Sequence, residues 1–249
     1  PVSDIEEENM QTKGRKMKSF LIAMIALILV GCGSQSRLDI SELDKCISKS
    51  TDVDSLVITI SDKRLNSQAT MLNWKEEETQ YGAWVYVKKG DQEVKAEKTI
   101  VELVEYRPTK QKSIFARKIG DMLAVEGVNE TDHRGPLSDK VILEGILAPA
   151  VVEDEDSIVF AEGYELSKES SNTYEIQPSN EEGFKYMIQM DDEGRIEEIT
   201  VSDLEEVVKT AKFAYSLSES EEKEKSQIKE ILNLKNISGG SLIDDFQNV

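Results

Sequence analysis

The chain has one histidine in 249 residues, His133, and that scarcity removes most familiar hydrolytic chemistry at the outset. Serine, cysteine and zinc hydrolases need an imidazole at a defined place, as proton carrier or as ligand. His133 lies in Asn129-Glu130-Thr131-Asp132-His133-Arg134-Gly135, with no G-x-S-x-G elbow and no second histidine at metal spacing. It reads as a solvated loop residue. A phosphate-binding glycine loop and a dinucleotide fingerprint are absent as well. Carboxylates are plentiful but run together, as in Glu153-Asp154-Glu155-Asp156, Asp191-Asp192-Glu193 and Asp244-Asp245. Spacing therefore singles out none for acid–base work, and none matches a calcium loop, which leaves only weak calcium binding by acidic turns open. No catalytic residue, metal or cofactor is expected, and the chain reads as a non-enzyme.

Cysteine is almost as rare. There are two, Cys32 and Cys46, so no disulfide framework exists. Cys46 sits in Ser41-Glu42-Leu43-Asp44-Lys45-Cys46-Ile47, where Leu43, Cys46 and Ile47 share one helical face. The spacing suits a small buried hydrophobe, with an unpaired reactive thiol as the alternative. Positive charge is short too: 30 Lys and Arg stand against 49 Asp and Glu, a net charge of −19. Such a surface repels phosphate backbones, which excludes nucleic acid as a partner. It also repels anionic headgroups, so any membrane attachment needs an anchor rather than a basic patch. The acidity otherwise serves solubility.

The unbroken apolar run Phe20 to Val30 follows the basic Lys13, Arg15, Lys16 and Lys18. It is shorter than the roughly 20 residues needed to cross a hydrocarbon core, and so predicts the apolar region of a signal peptide spanning residues 10–31. Leu29-Val30-Gly31-Cys32 closes it and resembles the bacterial lipobox. That resemblance implies a Cys32 thiol alkylated with diacylglycerol, bearing palmitate-type acyl chains, and cleavage after the small Gly31. Two acyl chains or more give stable anchoring. The alternative is an uncleaved anchor helix that happens to contain a cysteine. The implied location is the bacterial cell envelope, extracytoplasmic and lipid-anchored to a membrane, with residues 32–37 as a flexible tether. Residues 1–9 (PVSDIEEEN) are acidic where a signal peptide is basic, and are expected to be a non-native extension ahead of a start at Met10 or Met17.

Residues 38–235 then predict a single domain, with 236–249 as a flexible tail. A short helix is expected over Ser41–Ser48. Strands are expected over Ser55–Ser61, Ala83–Lys88, Thr99–Tyr106, Ser113–Lys118 and Met122–Glu126, segments rich in Val, Ile, Tyr and Trp. A polar loop over 127–137 and a helix over Ser138–Ala148 follow. Further strands are expected over Ser157–Leu166, Thr173–Gln177, Phe184–Met190, Arg195–Val201 and Val207–Leu217. Phe184–Met190 and Arg195–Val201 form a hairpin through Asp191-Asp192-Glu193-Gly194, with Gly194 at a positive-φ position. A charged run, Ser218–Lys225, precedes one more short helix, Gln227–Leu234. The fold class is α+β: a strongly curved antiparallel sheet with helices on one face.

The order Tyr174-Glu175-Ile176-Gln177-Pro178, Phe184 through Met190, an acidic-Gly turn, Ile196 to Val201, Asp203 and a closing strand with Phe213 and Tyr215 resembles the carboxyl-terminal half of periplasmic lipoprotein carriers of the LolA/LolB type. The resemblance covers about a fifth of the chain. It implies a half-open β-barrel, closed on one side by helices, whose concave face holds acyl chains. The nearest counterpart of the family's Arg-Phe-Arg-Trp-like strand is Met71-Leu72-Asn73-Trp74, which lacks the alternating arginines. Trp74, Trp84, Tyr86, Phe184, Tyr186 and Ile188 are the candidate apolar lining, unless they are simply core. The expectation is a membrane-anchored lipoprotein that binds or carries a lipid or other amphiphile. The alternative is an envelope interaction or structural lipoprotein whose acidic surface engages a protein partner or the cell wall.

Overall fold

A computed structural model describes residues 40–89, 98–132, 143, 145–154, 157–180, 182–244 and 246. Cys32, the signal segment, the tether and His133 lie outside these residues, as does most of the expected Ser138–Ala148 helix. The described part is α+β, with one twelve-stranded antiparallel sheet, curved and not closed into a barrel, and a separate two-stranded ladder. Helix α1 (Ile40–Thr51) precedes β1 (Ser55–Asp62), β2 (Ser67–Glu76), β3 (Thr79–Lys88), β4 (Lys98–Arg107), β5 (Lys110–Ile119) and β6 (Met122–Asp132). The small ladder is β7 (Val151–Asp154) with β8 (Ser157–Phe160). A second run follows: β9 (Tyr164–Ser170), β10 (Thr173–Pro178), β11 (Phe184–Met190), β12 (Ile196–Asp203) and β13 (Glu206–Ala214). Helix α2 (Glu219–Leu232) and β14 (Leu242–Ile243) close the order.

The sheet runs β14-β6-β5-β4-β3-β2-β1-β13-β12-β11-β10-β9. It is two meanders joined where β1 pairs β13, with Ile58 opposite Phe213 and Ile60 opposite Ala211. That junction explains the packing. Successive side chains on a strand point to opposite faces, and β1 buries both: Leu56 and Ile58 belong to one core and Val57 to the other. The first core holds Leu43 and Ile47 of α1 against Tyr174, Tyr186, Ile188 and Ile199. The second holds Ile228, Ile231 and Leu232 of α2 against Leu72, Val101, Leu103 and Ile114. The two helices therefore cover opposite faces, each over its own half of the sheet. This corrects the expectation of helices on one face. Each meander supplies its apolar phase on a different side, so one helical layer could not cover both.

Several boundaries also differ from expectation. Ser67–Glu76 is a full strand, and β6 continues to Asp132 through a stretch expected to be a loop. The residues from Ser157 to Ser170 make two strands rather than one. The charged run joins the helix after it as α2, whose Ser218 forms a capping box with Glu221. The expected flexible tail contributes β14, which pairs β6 at Leu123 and Ala124, and Phe246, which is 1% exposed in the second core. Chain polarity hides this, since Ser238-Gly239-Gly240-Ser241 separates the few apolar residues that dock. The β11–β12 hairpin forms as expected, with Gly194 at φ 76° and Asp191 accepting backbone N–H bonds from Glu193 and Arg195.

Candidate functional site

With α1 on one half and α2 on the opposite side of the other half, each half-sheet has a second face that neither helix covers. The two uncovered faces differ in chemistry. Beside β10–β13 it is dressed with cross-strand pairs: Lys185–Glu175 at 2.7 Å, Lys212–Glu198 at 3.5 Å, and Gln189 donating to Glu197 at 3.3 Å. That is a solvated surface. On β3–β5 the register places Trp84, Glu102, Phe115 and Gly127 in one row, and Tyr86, Ile100 and Arg117 in the next. Directly opposed residues share a face with Cβ atoms ~5 Å apart. Ile100 is 48% and Phe115 41% exposed, and Trp84 and Tyr86 are half-buried. Opposite Phe115 stands Gly127, where an added Cβ would meet nothing within 4 Å. Among the described residues the row therefore ends in open space.

The six expected lining residues fall into three groups. Tyr186 and Ile188 are fully buried beneath the first core, with the Tyr186 hydroxyl donating to the Ala148 carbonyl at 2.8 Å. Burial pushes the Tyr186 hydroxyl far above its usual range. Phe184 packs at the border of the same core under the Arg64 guanidinium, 4.8 Å from the ring centre. Trp84 packs against that core from the other meander, and Tyr86 shares its face through Ala69 and Ile60. Trp74 does not join them. It is 1% exposed in the second core, stacked on Tyr81 with ring centres 5.2 Å apart, and its indole N–H has no partner among the described residues. One step of strand parity separates it from Met71 and Asn73, so the Met71–Trp74 segment cannot present its aromatic to the face shared by the other five.

Ile100, Glu102, Phe115 and Gly127 belong to the face and were not expected there. In β4 both phases are apolar, Ile100 and Val104 on one and Val101 and Leu103 on the other, so the sequence does not say which phase a helix covers. Glu102 is the odd member. It is half-buried, it has no hydrogen bond or ion pair among the described residues, and loss of water raises its carboxyl above the usual range.

Among the described residues, a surface cleft borders the turn ends of β3 and β4 at Thr79, Gln80, Tyr106 and Arg107, and others lie farther off. One of about 350 Å³ sits at the carboxyl end of α2, bordered by Arg107, Lys110, Lys112 and Lys235. There Lys112 donates to the Leu232 carbonyl at 2.5 Å and Arg107 pairs Glu105 at 2.8 Å, so two of the cations are engaged in holding the helix end and a buried carboxylate. Others beside Arg64–Asp203 and beside Lys49–Arg195 are likewise lined mainly by charged side chains. Cys46 is buried with its thiol 3.1 Å from the Met190 sulfur, and burial pushes its pKa up, which suits packing and opposes thiolate chemistry. Among the described residues no group of three His, Cys, Asp or Glu could hold a metal ion, and no helix is long and apolar enough to cross a membrane.

The class defined to this point is an α+β protein built on one open antiparallel sheet with two cores. Comparison with protein-family models gives no match, and comparison with curated proteins gives none either.

Proposed function

We propose that this chain is a lipid-anchored, non-enzymatic lipoprotein of the bacterial envelope, tethered outside the cytoplasm through Cys32, whose sheet acts as a half-open barrel binding an amphiphile across β3–β5. The observation that carries the reading is the cluster on β3–β5, where Trp84, Tyr86, Ile100 and Phe115 stand together part-exposed beside the Arg117–Glu126 pair. Aromatic and aliphatic groups left half-exposed together on a sheet mark a surface that something apolar covers. The carrier-like order from Thr173 to Leu217 and the lipobox at Leu29–Cys32 support the same reading.

The two tryptophans supply the test, because Trp74 lies in the second core and Trp84 on the proposed face. The full chain is titrated with dodecyl maltoside below its micelle concentration while tryptophan emission is followed. A saturable blue shift is expected, retained in Trp74→Phe and lost in Trp84→Phe. Absence of any saturable binding, by emission and by native mass spectrometry alike, overturns the reading. Salt-sensitive capture of a basic envelope protein in its place would favour an interaction role for the acidic surface.

A further inference from the structure

Glu102 is the feature that amphiphile binding alone does not explain. A carboxyl group on an apolar sheet face costs free energy unless it is paired. This one has Trp84 directly opposite on β3 and Phe115 directly opposite on β5, with Ile100 and Val104 as its same-face neighbours along β4. The nearest cation on this face by register is Arg117, which is diagonal to Glu102 and already holds Glu126 at 2.6 Å. Lys88 and Lys98 are opposed to each other four residues along the strands from the Trp84–Glu102 pair, roughly 13 Å away at ~3.3 Å per residue. The carboxyl group is thus left without a counter-charge among the described residues, on a strand flanked by two aromatic residues in register.

We infer that the amphiphile carries an ammonium group, seated on the Glu102 carboxylate between Trp84 and Phe115, with its chain lying along Tyr86, Ile100 and the open space at Gly127; this rests on the amphiphile-binding reading above. The chemistry is complementary on three counts. A cation over or beside an aromatic ring is attracted by the ring quadrupole, most strongly at tryptophan. A carboxylate in partly dry surroundings binds a cation more strongly than one in water. A net charge of −19 draws cations toward the surface and repels anions. Loss of water raises the Glu102 carboxyl, and a cation seated beside it would offset that rise. An anionic headgroup would instead have to compete with Glu126 for Arg117 or reach the Lys88–Lys98 pair.

The test compares three ligands of one chain length, dodecylammonium, dodecyl maltoside and dodecyl sulfate, each titrated into the full chain by calorimetry below its micelle concentration. Dodecylammonium is expected to bind about tenfold more tightly than the maltoside, a difference of ~1.4 kcal/mol. Glu102→Gln is expected to abolish that advantage, read as the ratio of ammonium to maltoside affinity within the same variant, and Glu102→Lys to move the preference to the sulfate. Glu102→Gln keeps the shape and removes a poorly solvated charge, so the fold is preserved and its thermal midpoint reports that directly. Equal affinity for ammonium and maltoside, or a preference untouched by Glu102→Gln, overturns the inference and leaves amphiphile binding standing. Tightest binding of the sulfate by the unaltered chain overturns it in favour of Arg117 or the lysine pair. Failure of all three ligands to bind removes the underlying reading, and the inference falls with it.

Discussion

Glu224 is the residue whose surroundings are least favourable to the charge it would carry in water. It projects from α2 toward the sheet, is 6% exposed, and its Oε2 has no hydrogen-bond partner among the described residues. Burial raises its pKa from 4.5 to about 7, the Glu221 carboxylate on the same helix adds to the rise, and Lys118 on β5 opposes it. Between those two values the folded state holds a proton that the unfolded chain has released. The contribution of Glu224 to stability should be greatest below the unfolded pKa and should fall as pH climbs toward about 7. The loss is on the order of 3 kcal/mol, because each tenfold change in the proton equilibrium is worth ~1.4 kcal/mol. Urea unfolding at about pH 5 and about pH 8 checks this: Glu224→Gln should be the more stable protein at the higher pH and should show a smaller difference between the two. An identical pH response in both proteins would sink the assignment. Gly82 offers a steric counterpart. A Cβ there would stand 2.8 Å from the Asn73 side-chain oxygen in a buried pair. Gly82→Ala must displace Asn73 and should lower the thermal midpoint, whereas Gly127→Ala, which meets nothing within 4 Å, should leave it unchanged.

At the scale of elements, α2 shows how far local chemistry could be read and where it stopped. Its amino terminus carries a reciprocal cap: the Glu221 N–H donates to the Ser218 hydroxyl at 3.3 Å and the Ser218 N–H donates to the Glu221 carboxylate at 2.5 Å. Ser218→Ala should cost about 1 kcal/mol, read as a lower urea midpoint with an unchanged slope. Ser218-Glu219-Ser220-Glu221 is a capping signature, yet the dense charges after it make Glu219–Lys225 look like a solvated run. What conceals the helix is that its inward side begins with Glu224 rather than with an apolar residue, and only Ile228, Ile231 and Leu232 complete it. Lys225 and Lys229 then clasp Glu76 at the end of β2, a long-range pairing that no local pattern announces. Strand β2 is hidden for a similar reason. Its Ser67–Thr70 half is polar and small, and Met71, Leu72, Asn73 and Trp74 are buried in succession, so alternation never appears. Phe184–Met190, by contrast, buries Tyr186, Ile188 and Met190 in strict alternation and was legible from end to end. The proposed face suffered most from this limit. Trp84 and Tyr86 stood out as aromatics on a β-rich segment, but Glu102 became meaningful only once the register set it between Trp84 and Phe115.

For the whole molecule, two neighbouring strands couple the two cores, β2 through Met71 and Leu72 and β1 through Ile58 and Val57. On β1, Ile58 is fully buried in the core closed by α1, and its neighbour Val57 is 5% exposed in the core closed by α2. The pleat makes such a strand a member of both cores at once, so strain or loss on one face reaches the other within a single residue. No comparable route is available through the ends of the sheet, where β9 and β14 are terminal strands far apart in the pairing order. The two halves should therefore unfold as one cooperative unit despite burying opposite faces. Ile58→Ala removes a side chain from the α1 core alone and should cost about 2–5 kcal/mol. Hydrogen exchange followed by mass spectrometry gives the decisive reading. Under cooperative coupling, Ile58→Ala speeds exchange in α2 and β4 as much as in α1 and β12, although Ile58 belongs to the other core. Faster exchange confined to α1 and β9–β13 would instead make β1 a seam between two independently stable halves, and the ligand face on β3–β5 would then be carried by a unit that the carboxyl-terminal meander does not support.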